Sequence, residues 1–221
     1  MPARRAVPVA APRRPRGRPR KTLAERDEGN RRQELVRAAA RLFHRQGFAA
    51  TTTRDIAAKA GMQSGSPFYH FKSKSDLLHA VMEEGLRAAG QRQAEALLTL
   101  QSDGTSAAAV APEAALRALI RTQFDILLGP GSDFVPVMLY EWRSLTPRQR
   151  ADIAKLAREY EAPWVPVLQA LRDTGRLRAD VHLARLLIFG ALNWTVQWFD
   201  PKKAATLDDL TDAAMDLFLR A

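Results

Sequence analysis

Residues 34–81 read ELVRAAARLFHRQGFAATTTRDIAAKAGMQSGSPFYHFKSKSDLLHAV, and the spacing inside this stretch decides the fold. Leu35, Ala38, Ala39, Leu42 and Phe43 recur at steps of three and four, the period of one helix face. Gly47 followed by Phe48 supplies a helix stop with an apolar contact beyond it. Thr52 and Asp55, three apart, form a capping-box pattern that opens a short helix through Ile56, Ala57 and Ala60 to Gly61. Another short helix is expected around Ser66 to Phe71. Ser73 and Asp76 repeat the box pattern, and Leu77, Leu78, Val81, Met82 and Leu86 then mark one face of a long helix. Ala60-Gly61-Met62 is the tight turn that two crossing helices need if the second is to enter a DNA major groove. Thr52, Thr53 and Arg54 place N–H groups and a cation at a helix start, where a phosphate is favoured. Lys72 and Lys74 follow the second helix, placed to hold another phosphate, with a solvated lysine as the alternative reading.

Outward from this stretch, the charge is lopsided. Residues 1–75 hold 18 Lys/Arg and 5 Asp/Glu, a net of +13, whereas 76–221 hold 16 and 19, a net of −3. Such asymmetry points to nucleic acid or an anionic surface as partner of the N-terminal part. Residues 1–30 carry five prolines and many arginines with little apolar content, a composition expected to be disordered. Pro15-Arg16-Gly17-Arg18-Pro19 resembles the core of an AT-hook. Gly17 would let an extended backbone sit on a minor-groove floor while Arg16 and Arg18 follow it. A basic tail that adds only sequence-independent affinity is the alternative.

C-terminal to the stretch the pattern stays helical. Gln101 to Pro112 reads as a loop, and helices are expected over 113–128, 133–144, 147–173, 181–198 and 206–220. They are punctuated by Gly129-Pro130-Gly131, Thr146-Pro147, Asp173-Thr174-Gly175 and Asp200-Pro201. No run of alternating β-branched residues occurs, so the fold class is all-α. On the last helix Leu207, Leu210, Ala213, Ala214, Leu217 and Phe218 form an apolar stripe opposite Asp208, Asp209, Asp212 and Asp216. On the helix before it Leu187, Ala191, Trp194 and Trp198 form another, and the two together read as an association surface.

The residues of 34–81 resemble the TetR/AcrR family of transcriptional regulators. The likeness is carried by AAARLF at 38–43, Gly47-Phe48, TRDIA at 53–57, Ala60-Gly61, Gly65 and YHFKSKSDL at 69–77. The resemblance implies an N-terminal three-helix helix-turn-helix domain (31–75) after the arm, and a C-terminal helical effector-binding and dimerisation domain (76–221). It implies a homodimer formed by the last two helices as a four-helix bundle, matched to a pseudo-palindromic operator on double-stranded DNA. It also implies release from DNA by a small molecule. Base contacts carried over from the family fall on Gln63, Ser64 and Ser66, although Gln63-Ser64 stand where the family has Ser or Thr before a basic residue. Phe68, Tyr69 and His70 are groove-facing candidates, with a packed structural role as the alternative for His70. Pro67 fits only a first helical turn, so Ser66 is expected as N-cap and Pro67 as first helical residue.

A hydrophobic effector is expected to be lined by Phe124, Leu127, Leu128, Phe134, Met138, Tyr140, Trp142, Trp164, Leu168 and Trp194, with ordinary core packing as the alternative for each taken singly. The segment 190–201, GALNWTVQWFDP, is similar to that of TetR-type regulators of lipid and sterol catabolism, some of which sense CoA thioesters. That likeness implies an acyl chain in the cavity, with Arg121, Arg143 or Arg185 meeting phosphates.

Other classes fit poorly. The chain has no Cys, which excludes disulfides, thiolate zinc sites and cysteine nucleophiles. No Gly-rich phosphate loop, H-E-x-x-H or G-x-S-x-G motif occurs, so no enzyme activity, cofactor or metal is expected. The Arg/Pro-rich start lacks the apolar stretch of a signal peptide. Val181 to Phe199 is too polar to span a membrane. The expected location is the cytoplasm, on the nucleoid. An architectural, A·T-preferring DNA binder without effector is the alternative function.

Overall fold

The computed structural model describes residues 23–63, 67–102, 111–129 and 133–219. Among them there is no strand, in keeping with the all-α expectation. Helix α1 spans Leu23–Ala50, α2 Thr53–Lys59, α3 Pro67–His70 and α4 Lys74–Ser102. Then follow α5 (Pro112–Leu128), α6 (Phe134–Tyr140), α7 (Pro147–Glu161), α8 (Trp164–Asp173), α9 (Val181–Trp194) and α10 (Leu207–Phe218).

Several boundaries differ from expectation, and the helix expected over 133–144 ends at Tyr140, followed by a 3-10 turn over Trp142–Ser144. Helix α1 begins at Leu23, so 23–30 are helical where disorder was expected, while 1–22 lie outside the described residues. The single helix expected over 147–173 is two, because Pro163 has no N–H to donate to the preceding turn and α8 starts afresh behind it. Helix α9 ends at Trp194, and its expected last turn is a 3-10 turn over Thr195–Gln197.

Gly47 breaks α1 with φ 79° and ψ 163°, a conformation that L side chains resist, and Phe48 turns back to pack its ring, tilted, 5.4 Å from that of Phe43. Thr52 caps α2 through the expected box, accepting the Asp55 N–H at 3.1 Å while Asp55 accepts the Thr52 N–H at 2.9 Å. The α2 exit is a Schellman turn. Gly61, at φ 68°, donates to Ala58 O at 3.1 Å, and Met62 donates to Ala57 O at 2.8 Å. At the start of α4, Ser73 accepts the Asp76 N–H at 3.1 Å. The free Asp76 oxygen takes the Gln149 amide of α7 at 3.0 Å, which fixes α4 against α7.

Two hydrophobic cores result. The first joins Leu35, Ala38, Ala39 and Phe43 of α1 to Ile56, Phe71 and the Leu77–Leu86 face of α4. The second gathers Leu116, Leu119, Ile120, Phe124 and Leu127 of α5 around Trp164, Leu168, Ile188 and Leu192. Phe134 of α6 packs against both. Its ring lies on Gly85 of α4, where even a Cβ would fall 2.1 Å from Cδ2. Arg32 of α1 pairs with Glu84 and lies 5.1 Å over the Phe71 ring, clamping α1 to α4.

Candidate functional site

The nucleic-acid face is built around the Gly61 turn. Behind it, α3 is a single turn that starts at Pro67, as the proline requires. From it Tyr69 projects 77% exposed, and the half-buried His70 ring meets the Tyr69 ring edge-on at 5.3 Å. Tyr69, His70, Gln63 and Gly61 share one cleft with Arg31 and Glu34 of α1. Gln63 and Arg54 are exposed, and Thr53 is half-buried beside Thr52. The Asp55 carboxyl is held below its ordinary range by the Thr52 hydroxyl and then by the Thr52 N–H. Ser64, Ser66, the Phe68 side chain, Arg16 and Arg18 lie outside the described residues.

Lys72 is exposed, but Lys74 departs from expectation. Its ammonium is turned inward, donating to Phe48 O at 2.7 Å and Thr51 O at 2.8 Å, with Ala49 O at 3.5 Å, and lying 4.3 Å over the Phe48 ring. All three of its donors close the corner between α1 and α2, which leaves none for a phosphate.

The interior chamber also differs from expectation. A cavity of about 40 Å³ lies between α4, α5, α6, α7 and α9, and its walls include Phe134, Val135, Met138, Gln123, Tyr160 and Asn193. Of the ten residues expected to line an effector cavity, Phe134 and Met138 do. Trp164 and Phe124 are solid core, at 0% and 2% exposure, and Leu128 packs half-buried against the same core. Trp142 packs against the N-terminal core instead. Tyr140 and Trp194 face outward at 58% and 65% exposure, because α6 and α9 turn their other faces inward.

Polar side chains that the apolar pattern concealed replace them. Tyr160 donates its hydroxyl to Gln123 Oε1, and Gln123 Nε2 donates to Asn193 Oδ1 at 2.9 Å. Burial pushes the Tyr160 phenol up, so it remains a neutral donor. Gln93 closes a second link, accepting from Trp164 Nε1 at 2.7 Å and donating to Tyr160 O at 3.0 Å. The signal was present in the sequence: Gln93, Gln123 and Asn193 each interrupt a buried helical stripe, where an amide survives only if hydrogen-bonded.

Helix α9 carries an exposed apolar face of Leu183, Leu186, Leu187, Trp194 and, just beyond, Trp198. The α10 stripe divides. Leu207, Leu210, Ala214 and Phe218 pack on the core, whereas Leu217 is 82% exposed. Arg117–Asp212 and Arg121–Asp208 ion pairs fasten α10 to α5. Arg121 pairs also with Asp125 at 2.5 Å, so its guanidinium serves this seam between α5 and α10.

Comparison with known proteins accords with this geometry. Residues 35–81 match the bacterial regulatory proteins of the tetR family, and 109–221 match the tetracyclin repressor-like C-terminal domain. The HTH-type transcriptional repressor KstR2 of Rhodococcus jostii is 29% identical over 197 residues, covering 87% of this chain and 91% of that protein. The crystal structure of superantigen PfiT superposes with TM-score 0.71 at 35% identity, covering 86% of this chain and 97% of the other. AibR, in complex with isovaleryl coenzyme A and operator DNA, shares the fold with TM-score 0.74 at 23% identity, covering 85% and 97%. Among the described residues no helix is long and apolar enough to cross a membrane.

Proposed function

The chain belongs to the tetR family of bacterial regulatory proteins, whose members bind DNA and act as dimers, and from that premise we propose a ligand-responsive transcriptional repressor. The observation that carries the proposal is Tyr69, 77% exposed on the one-turn helix that follows the Gly61 turn. Helices α2 and α3 read a half-site, with Gln63, Ser64, Ser66, Phe68, Tyr69 and His70 toward bases. Thr52, Thr53, Arg54 and Lys72 face phosphates, and Arg16 and Arg18 follow the minor groove. The DNA-binding part comprises α1 to α3 and the arm, and 76–221 carries effector binding and dimerisation. Two copies join through the last two helices, α9 and α10, where the α9 face and Leu217 of α10 stay exposed among the described residues. The protein acts in the cytoplasm, on the nucleoid.

Relief comes from a hydrophobic small molecule of acyl-CoA type. Repression by the KstR2 relative and the isovaleryl coenzyme A held by AibR support this reading. Helix α6 is the transmitting element, since it lines the chamber and is tied to α1 at both ends. Asp133 accepts from His44 at 2.9 Å, and Glu141 accepts the Phe48 N–H at 2.8 Å. The test is selection of genomic fragments by the full-length protein at near-physiological salt with excess non-specific DNA. Enrichment of a short inverted repeat supports the proposal. Enrichment of A·T-rich DNA without a repeat refutes it in favour of an architectural binder.

A further inference from the structure

A second cleft, of about 510 Å³, lies outside the chamber, where the end of α7 meets the starts of α8 and α9. Glu161 belongs to the walls of both spaces. Its carboxylate is ion-paired with Arg185 of α9, and the two side chains keep only 25% and 15% of their exposure. This pair therefore separates a small interior cavity from a broad cleft. One more cation lines that cleft, Arg158, one turn before Glu161, and the His182 ring stands beside Arg185 with its Nδ1 at 3.4 Å. Among the described residues Arg158 has no ion-pair partner. The remaining acid on the wall, Asp180, is already committed to the His182 and Leu183 N–H groups and to Arg172 at 3.2 Å.

We propose that the α7–α9 cleft seats the anionic head of the effector on Arg158 and Arg185, with the Glu161–Arg185 pair as the latch that this head opens. The inference rests on the effector chamber proposed above and adds the ligand's chemistry: an amphiphilic anion with an apolar body inside and a phosphate or carboxylate outside. The reason is electrostatic. A neutral apolar ligand that parted Glu161 from Arg185 would leave a largely buried guanidinium unpaired, a heavy cost. An anionic head exchanges one partner of Arg185 for another, while Glu161 swings toward the water of the cleft. The interior favours a carbonyl on the body, because the Asn193 amide N–H groups donate to no described residue while its oxygen is held by Gln123.

Calorimetric titration of the full-length protein with octanoyl-CoA, octanoate and octanol tests this directly. Wild type is expected to bind at least one anion roughly tenfold or more tighter than the alcohol, as befits a charge-assisted contact. Arg158→Gln, a surface change, should erase roughly tenfold of that preference and leave octanol unchanged. Glu161→Gln, which removes the competing carboxylate, should tighten the anions. The double variant Glu161→Gln/Arg185→Gln leaves no unpaired charge behind, and it should lose the Arg185 share of the anion preference while Arg158 keeps the rest. A gain confined to octanoyl-CoA identifies phosphates as the head, and an equal gain for octanoate identifies a carboxylate. Octanol binding as tightly as both anions, or an anion preference untouched by Arg158→Gln and by the double variant, overturns the head-group seat and leaves the chamber standing. Failure of all three probes to bind overturns the chamber as well.

Discussion

Replacing Lys74 with Met separates two roles that the sequence alone could not. The substitution keeps the apolar stem and removes an ammonium bonded at 2.7 and 2.8 Å to Phe48 O and Thr51 O and seated 4.3 Å over the Phe48 ring. Hydrogen bonds to a charged group are worth about 1.5–3 kcal/mol each, and a partly exposed cation–π contact adds about 0.5–1 kcal/mol. Lys74 is only half-buried, so water recovers part of the loss, and the net expectation is about 2–3 kcal/mol. In a protein of this size that lowers Tm by about 5–10 °C. Circular dichroism melting reads the stability. Fluorescence anisotropy on a labelled duplex, repeated across salt concentrations, reads the phosphate contacts. A structural lysine lowers Tm and leaves the slope of log K against log salt unchanged. A phosphate-binding lysine would reduce that slope by about 0.9 per protomer. A reduced slope with an unchanged Tm would refute the inward assignment of Lys74.

Gly85→Ala drives a Cβ into the Phe134 ring and should destabilise by about 1–3 kcal/mol, read by urea unfolding; an unchanged midpoint would show that α6 yields freely. Leu187→Glu places a charge on the exposed α9 face and should give monomers at micromolar concentration in sedimentation, and a persistent dimer would locate the interface elsewhere. Asp55 titrates below its unfolded value, so its contribution to stability is complete above about pH 3.9 and is lost as pH falls through the lower folded value. Thr52→Ala should return the Asp55 titration, followed by NMR, toward the unfolded value. Tyr160 has the opposite sign: its raised phenol stabilises the fold up to about pH 10 and ceases to do so as pH climbs beyond. Tyr160→Phe should flatten alkaline unfolding above that pH.

The N-terminal half was legible because its signals are local. Spacing, a stop glycine and a capping box each act within a few residues, and Gly47, Thr52, Asp55 and Gly61 do in the structure what their types require. The inward bonds of Lys74 were not legible, because the carbonyls of Phe48 and Thr51 lie more than twenty positions away and a backbone acceptor leaves no trace in side-chain sequence. The walls of the chamber were hidden for a related reason. Large apolar residues at helical spacing are the currency of cores, and aromatic size alone does not distinguish Trp164, sealed in the core, from Trp194 on the outer face. The informative residues were the polar ones that break a stripe. Gln93, Gln123 and Asn193 had to find partners, and those partners converge on Tyr160 beside the chamber.

The size of the chamber bears on how regulation operates. At about 40 Å³ it accommodates roughly one water molecule, so any effector body must move a wall. Helices α4, α5 and α9 anchor the cores along most of their length, whereas α6 has seven residues and meets the chamber through Phe134, Val135 and Met138. Its seat on Gly85 offers no Cβ to block sliding, and its C-terminal cap Glu141 holds the Phe48 N–H at the corner that carries α2. Displacing α6 therefore puts that charge-assisted bond at stake, worth about 1.5–3 kcal/mol. A difference of about 1.4 kcal/mol in the cost of the DNA-competent arrangement is already tenfold in affinity. By linkage the same factor applies to effector binding, so DNA held by the heads must weaken the effector as much as the effector weakens DNA.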